Sequence, residues 1–193
     1  GGEKEDWEIN EDFRDPEARW NAMLAINPST PAGYLEIQKY LDLENFADYM
    51  LLHFYGDAED WMDHNGYAAA NAISGDGKFR FYVWDQEIVL DKFSWNRYNS
   101  TGRVSSVFLE LRANEEFLTL FADRVQKHMF NGGALGEPES IARFLARCAE
   151  IDKAIVAESA RWGDVQATTP YGSTASSSTD IDNDNYPPTL NNP

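Results

Sequence analysis

Residues 56–91 read GDAEDWMDHNGYAAANAISGDGKFRFYVWDQEIVLD, and the reading of this stretch governs that of the whole chain. Asp60 is followed five positions later by Asn65, then by a short apolar run over 67–73 and the turn sequence Ser74-Gly75-Asp76-Gly77. Phe79, Phe81 and Val83 alternate with Arg80, Tyr82 and Trp84, which predicts a strand over 79–84 with one apolar face. Asp85 ends that strand. A tight loop followed by one hairpin brings oxygen-bearing side chains from distant positions to one side of a cleft. On residue types alone a second reading stays open: Asp60 caps a turn, Asn65 fixes a loop and Asp85 closes a strand, because Asp and Asn both favour loops.

An Asp, an Asn five positions on, a hairpin and a second Asp follow the order of parts in the catalytic core of a protein kinase. There the first Asp orients the attacking hydroxyl, the Asn helps hold a magnesium ion, and the second Asp binds the metal that bridges the phosphates. Three further stretches belong with it: LDLENFADY at 41–49, WDQE at 84–87 and ESARWGD at 158–164, beside the DW-x-x-x-N-x-Y pattern that starts at Asp60. Together they resemble the CotH family, atypical protein kinases named for a spore-coat protein, over residues 15–164. The resemblance implies that Asp60 is the catalytic aspartate and that Asn65 and Asp85 hold metal, with Glu87, Glu158 and Arg161 in support. Glu158 and Arg161 would form a buried pair near the cleft, or else an ion pair on a helix surface. It also implies Mg2+ or Mn2+ with ATP as cofactors and a protein Ser or Thr hydroxyl as acceptor. Gly66 departs from the pattern, since relatives often carry Trp after the Asn, and the departure bears on the wall of the cleft.

Composition bounds the remaining possibilities. The chain has 193 residues, 42% of them hydrophobic and 13% aromatic, enough for one domain with a sizeable core. Thirty-three acidic against 16 basic residues give a formal charge of −17, which repels nucleic acid and anionic membrane surfaces. Cys148 is the only cysteine, so no intrachain disulfide or cysteine-based zinc site can form. His53, His64 and His128 lack paired metal spacing and read as core or surface residues. No apolar run reaches the roughly 18 residues of a membrane span. The Gly-Gly start carries no signal-peptide pattern and reads as an internal or processed beginning. The acidic composition and Asn/Ser/Thr-rich tail suit a secreted or cell-envelope protein as well as a cytoplasmic one, with the reading leaning to export. Oligomeric state is not legible.

Asp15-Pro16 predicts a helix start, followed by Trp20, Met23 and Leu24, with Asn27-Pro28 as its stop. A connector over 28–33 leads to a short helix near 34–39. Asp42 caps a strong helix over 42–55, with Phe46, Tyr49, Met50 and Phe54 on its core face and Gly56 closing it. Residues 86–100 form an aromatic-rich loop holding Trp95, Arg97 and Tyr98, either substrate-facing or an ordinary surface loop. Helices follow over 104–112, 115–130 and 138–162. The last carries Ile141, Phe144, Leu145, Cys148, Ile151 and Ile155 at helical spacing, which predicts a packed face ending at Arg161-Trp162-Gly163.

The fold class expected is α+β, mainly α: a helical kinase-like C-terminal lobe with a small central β-hairpin. Residues 1–14 form a lead-in, 15–164 the helical lobe and 165–193 a Ser/Thr/Asn/Asp-rich tail or linker. In that tail Asp180, Asp182 and Asp184 alternate like the first half of a calcium loop, but Asn185 stands where such a loop needs Gly and Asn191 where it needs Glu. No strand-rich nucleotide lobe precedes Asp60, so the chain reads as the metal- and substrate-side part of a kinase, incomplete by itself. Two other classes stay open. One is a carbohydrate-active hydrolase using Asp60, Asp63, Asp85 and Glu87 beside Trp61, Tyr82 and Trp84. The other is a non-catalytic surface or coat interaction module.

Overall fold

The computed structural model describes residues 16–59, 61–62, 64–71, 75–86, 88–90 and 96–167, the side chains of 159–167 excepted. They fall into two compact units, Gly1–Gly136 and Glu137–Pro193. Among the described residues the first unit contains α1 (Pro16–Leu24), α2 (Pro31–Ile37), α3 (Leu43–Gly56), β1 (Tyr67–Ala69), β2 (Arg80–Tyr82), a 3-10 turn (Arg97–Asn99), α4 (Arg103–Leu111) and α5 (Glu115–Met129). The second contains α6 (Glu137–Ala167). The fold is mainly helical α+β, with one antiparallel two-stranded sheet.

The first unit is built around α3. Asp42 starts it by accepting the Asn45 N–H at 3.1 Å, satisfying one of the amide groups a helix start leaves unpaired. The same carboxylate meets the Arg80 guanidinium of β2 at 3.0 Å, so one side chain caps the helix and ties it to the sheet. Phe46, Ala47 and Met50 are completely buried, and α3 packs against α5, β2 and the 3-10 turn. Its core continues through Leu41, Phe79, Phe81, Phe108, Leu111 and Phe117, with Trp20 of α1 edge-on to Phe79 at 5.3 Å. Just before β2 an isolated parallel bridge joins Leu41 to Phe79: the Phe79 N–H donates to the Tyr40 carbonyl and the Asp42 N–H to that of Phe79.

Several boundaries differ from those expected. Thr30 caps α2 by accepting the Gly33 N–H at 3.0 Å, so the helix starts at Pro31, inside the presumed connector. Gly56 stays helical, and the left-handed closing residue of α3 is Asp57, at φ 50°. Arg97 holds Asp57 in that closing position by pairing with its carboxylate at 3.1 Å. The strand closes at Tyr82, which leaves Val83 of the expected apolar face 42% exposed. Asn114 caps α5 as expected, through the N–H groups of Glu116 and Phe117.

The largest correction concerns α6. It continues through Gly163 to Ala167, and within its own unit no other described element covers its apolar stripe, on which Phe144, Leu145 and Cys148 are exposed. Periodicity dictates an amphipathic helix, but burial also needs a second element, and α6 is the described element of its unit. Among the described residues no helix is long and apolar enough to cross a membrane.

Candidate functional site

The segment that carries Asp60 leaves the C-terminal end of α3. The Ala58 N–H returns to the His53 carbonyl at 3.2 Å, and Ala58 and Trp61 are both buried. Asp60 itself lies outside the described residues, as do Asp63 and Glu87, but Trp61 next to it is completely buried in the core. Trp61 stacks on the His53 ring, 4.8 Å between centroids and 14° between planes. One residue further, the Met62 carbonyl accepts the Val104 N–H at 3.2 Å, filling a vacant amide at the start of α4, where Gly102 offers no side-chain cap. Gly66 completes this contact: a Cβ there would lie 2.8 Å from Val104 Cγ2, which accounts for the departure at this position.

The hairpin sets the remaining sequence-identified residues. Tyr67 pairs with Tyr82 in the antiparallel register, so Asn65, two residues before the first, and Asp85, three after the second, stand at the same end of the hairpin. Asn65 is half-buried. Asp85 is exposed and adopts φ 51°, a left-handed conformation that Asp and Asn tolerate better than other non-glycine residues. Glu158 is exposed on α6, and the Arg161 side chain lies outside the described residues. Asp180, Asp182 and Asp184 lie outside them too. Among the described residues no three His, Cys, Asp or Glu side chains gather into a metal-holding group.

Long-range contacts fasten this end of the molecule. Arg97 pairs with Asp57 at 3.1 Å and approaches Glu59 at 3.6 Å, tying the segment after Asp85 to the residues just before Asp60. The Leu90 N–H donates to the Gly56 carbonyl at 2.6 Å, and Arg112 holds the Tyr98 carbonyl and the Asn99 side chain. Trp95 lies outside the described residues; among those described, Arg97 and Tyr98 anchor this loop, and the Tyr98 ring packs on Phe54 and Phe108. Asn45, whose side chain accepts the Phe81 N–H at 2.6 Å and donates to the Phe81 carbonyl at 3.1 Å, had a visible signal, an Asn in the first turn of an otherwise strong helix. Arg97 and Arg112 had none, because their partners are distant in sequence.

A groove of about 600 Å³ on the α3–α5 side is lined by Tyr34, Gln38, Asp42, Asp48, Lys78 and Arg124 among others. Its charges are largely committed: Arg124 holds the Asp48 carboxylate with two guanidinium nitrogens and reaches Glu44, while His128 also meets Asp48 at 3.0 Å. Burial pushes the His53 imidazole down to about 4 and the Tyr49 phenol upward.

Residues 3–177 match the sequence model of the family described as CotH kinase protein. No curated protein and no solved structure matches the chain. With the match spanning most of its length, the chain belongs to the CotH kinase family.

Proposed function

We propose that this chain is the metal- and substrate-side part of an atypical protein kinase that transfers the γ-phosphoryl group of ATP to a protein Ser or Thr hydroxyl. The observation that carries this reading is the hairpin register, with Tyr67 opposite Tyr82 and hence Asn65 and Asp85 at one end. Asp60 would orient the acceptor hydroxyl and take up its proton as the new oxygen–phosphorus bond forms and the bond from the γ-phosphorus to the bridging oxygen breaks, releasing ADP. Asn65 and Asp85 offer only oxygen donors, and Asp85 is exposed, a set suited to Mg2+ or Mn2+. These two residues would hold the ion, whose chemistry is to neutralise charge on the phosphate oxygens. Arg97 would keep the segment after Asp85 in register with the residues before Asp60.

The hydrolase alternative loses one of its aromatic platforms, because Trp61 is completely buried and cannot stack on a sugar. The interaction-module reading keeps an observation in its favour, the exposed stripe of Phe144, Leu145, Ile151 and Val156 on α6. A phosphotransfer assay separates them. Full-length protein with labelled ATP and Mg2+ or Mn2+ is expected to label Ser or Thr in a protein acceptor, and both a chelator and Asp60→Ala should abolish the label. Metal-independent sugar cleavage would overturn the kinase reading.

A further inference from the structure

The apolar residues of α6 keep a period of their own. Ile141, Cys148, Ile155 and Trp162 recur at intervals of seven residues, and Phe144, Ile151 and Val165 stand three positions after members of that series. Glu158 is the one polar residue among these positions. A straight α-helix drifts about 20° per heptad against a seven-residue repeat, so a seam kept this regularly suits a helix supercoiled with another of its kind. α6 is one continuous helix over Glu137–Ala167, about 46 Å long at 1.5 Å per residue, and the seam follows it without a break. Within its own unit no other described element covers the seam, on which Ile141, Phe144, Cys148 and Ile151 are exposed.

The charges beside the seam select the partner. With Ile141 as position a of the heptad abcdefg, Arg147 falls at g and Asp152 at e, the positions whose charges set partner and orientation in coiled coils. In a parallel pair, the g residue of one heptad faces the e residue of the next heptad on the other helix. Arg147 then faces Asp152 of a second copy, and two-fold symmetry makes the same pair again on the other side. Both residues are exposed, and the pair Arg147 makes along its own helix with Glu150 is an exposed one that costs little to share. In an antiparallel pair with Cys148 layered against Ile151, Arg147 faces Ala154 and Asp152 faces Leu145, so neither charge gains a partner.

We infer that α6 is a dimerisation helix, through which two copies of this chain associate as a parallel two-stranded coiled coil. Ile141, Phe144, Cys148, Ile151 and Ile155 form its seam, and the Arg147 and Asp152 pairs fix its direction. Glu158 sets two like charges at one layer of the seam, so the association is weakened there and draws its strength from the apolar layers before it. This surface is independent of the kinase reading and keeps its role whether or not the chain transfers phosphate.

Sedimentation velocity on the full 193-residue chain tests this, with circular dichroism to follow the fold of each variant. Wild type is expected to pass from the 21.9 kDa monomer to a species of twice that mass as concentration rises, over a range of about 1–100 μM. Ile151→Asp, a change at an exposed position, should keep the helical spectrum and raise the dissociation constant at least about a hundredfold. Arg147→Asp and Asp152→Arg should each weaken the dimer about fivefold, and the two changes in one chain should restore it. Glu158→Leu, which removes the like charges from the seam, should tighten the dimer about tenfold. A wild type that stays monomeric throughout, or a dimer indifferent to Ile151→Asp, would overturn the inference. Failure of the charge-swapped chain to recover the dimer would overturn the parallel arrangement.

Discussion

Asn45 holds Phe81 by both of its backbone groups: Asn45 Oδ1 accepts the Phe81 N–H at 2.6 Å and Asn45 Nδ2 donates to the Phe81 carbonyl at 3.1 Å. The side-chain amide thus does for β2 what a neighbouring strand would, and it fixes the hairpin to the helix that leads to Asp60. Asn45→Ala leaves both groups half-buried and unpaired, and is expected to cost about 2–3 kcal/mol in denaturant unfolding. Asn45→Asp keeps the acceptor but sets a negative charge against the Phe81 carbonyl, and should do no better than Ala. A loss within about 0.5 kcal/mol of zero would mean that water replaces the amide.

The pair between Arg124 and Asp48 joins α5 to α3, with the arginine side chain only 13% exposed. Its two-nitrogen grip depends on the planar guanidinium, so Arg124→Lys should recover little of what Arg124→Ala loses. A double-mutant cycle with Asp48→Ala is expected to give a coupling of about 1–3 kcal/mol. High salt should weaken it less than it weakens the exposed Lys39–Glu36 pair.

Stability should carry a His53 component with a defined sign. Burial holds the folded imidazole near 4, whereas the unfolded one titrates near 6.5. Between these values the unfolded chain binds the extra proton. The contribution is therefore fully present above about pH 6.5 and is lost as pH falls toward about 4, to an extent of about 3 kcal/mol. His53→Phe has no such group, so its stability relative to wild type should rise as pH is lowered from about 7 to about 5. Parallel pH profiles for the two proteins would show that His53 is not held neutral.

Gly66 has little space for a side chain, and Gly66→Ala should cost about 1–3 kcal/mol by pressing on Val104. Because the closest atom is a valine methyl, Gly66→Ala with Val104→Ala should recover part of the loss. Unfolding midpoints of the single and double variants measure this. Failure of the second change to help would shift the blame to the Trp61 carbonyl, 3.3 Å away.

The helices were legible because their signals are local. Asp42 and Asn114 are side-chain caps whose partners lie two or three residues on, and the apolar spacing of α3 marks its buried face. The end of α6 was misjudged because one glycine costs a helix only about 1 kcal/mol, too little to stop a long one at Gly163. Its stripe was visible and its exposure was not, since periodicity does not reveal whether another element covers the face. Asp85 and Asn65 could be singled out from order and spacing, yet their common end of the hairpin follows from a register that only the pairing of Tyr67 with Tyr82 defines. His53 looked like an ordinary core histidine because Trp61 reaches it only after the chain has turned back.

Calorimetric titration of magnesium and ATP onto Asp85→Ala and Asp60→Ala variants of the full-length protein tests the central assignment most directly. If Asp85 holds the metal and Asp60 serves the acceptor, Asp85→Ala abolishes metal-dependent nucleotide binding, whereas Asp60→Ala keeps most of it and loses only phosphotransfer. Equal loss of binding in both variants, or undiminished binding in Asp85→Ala, would contradict the roles given to these two residues.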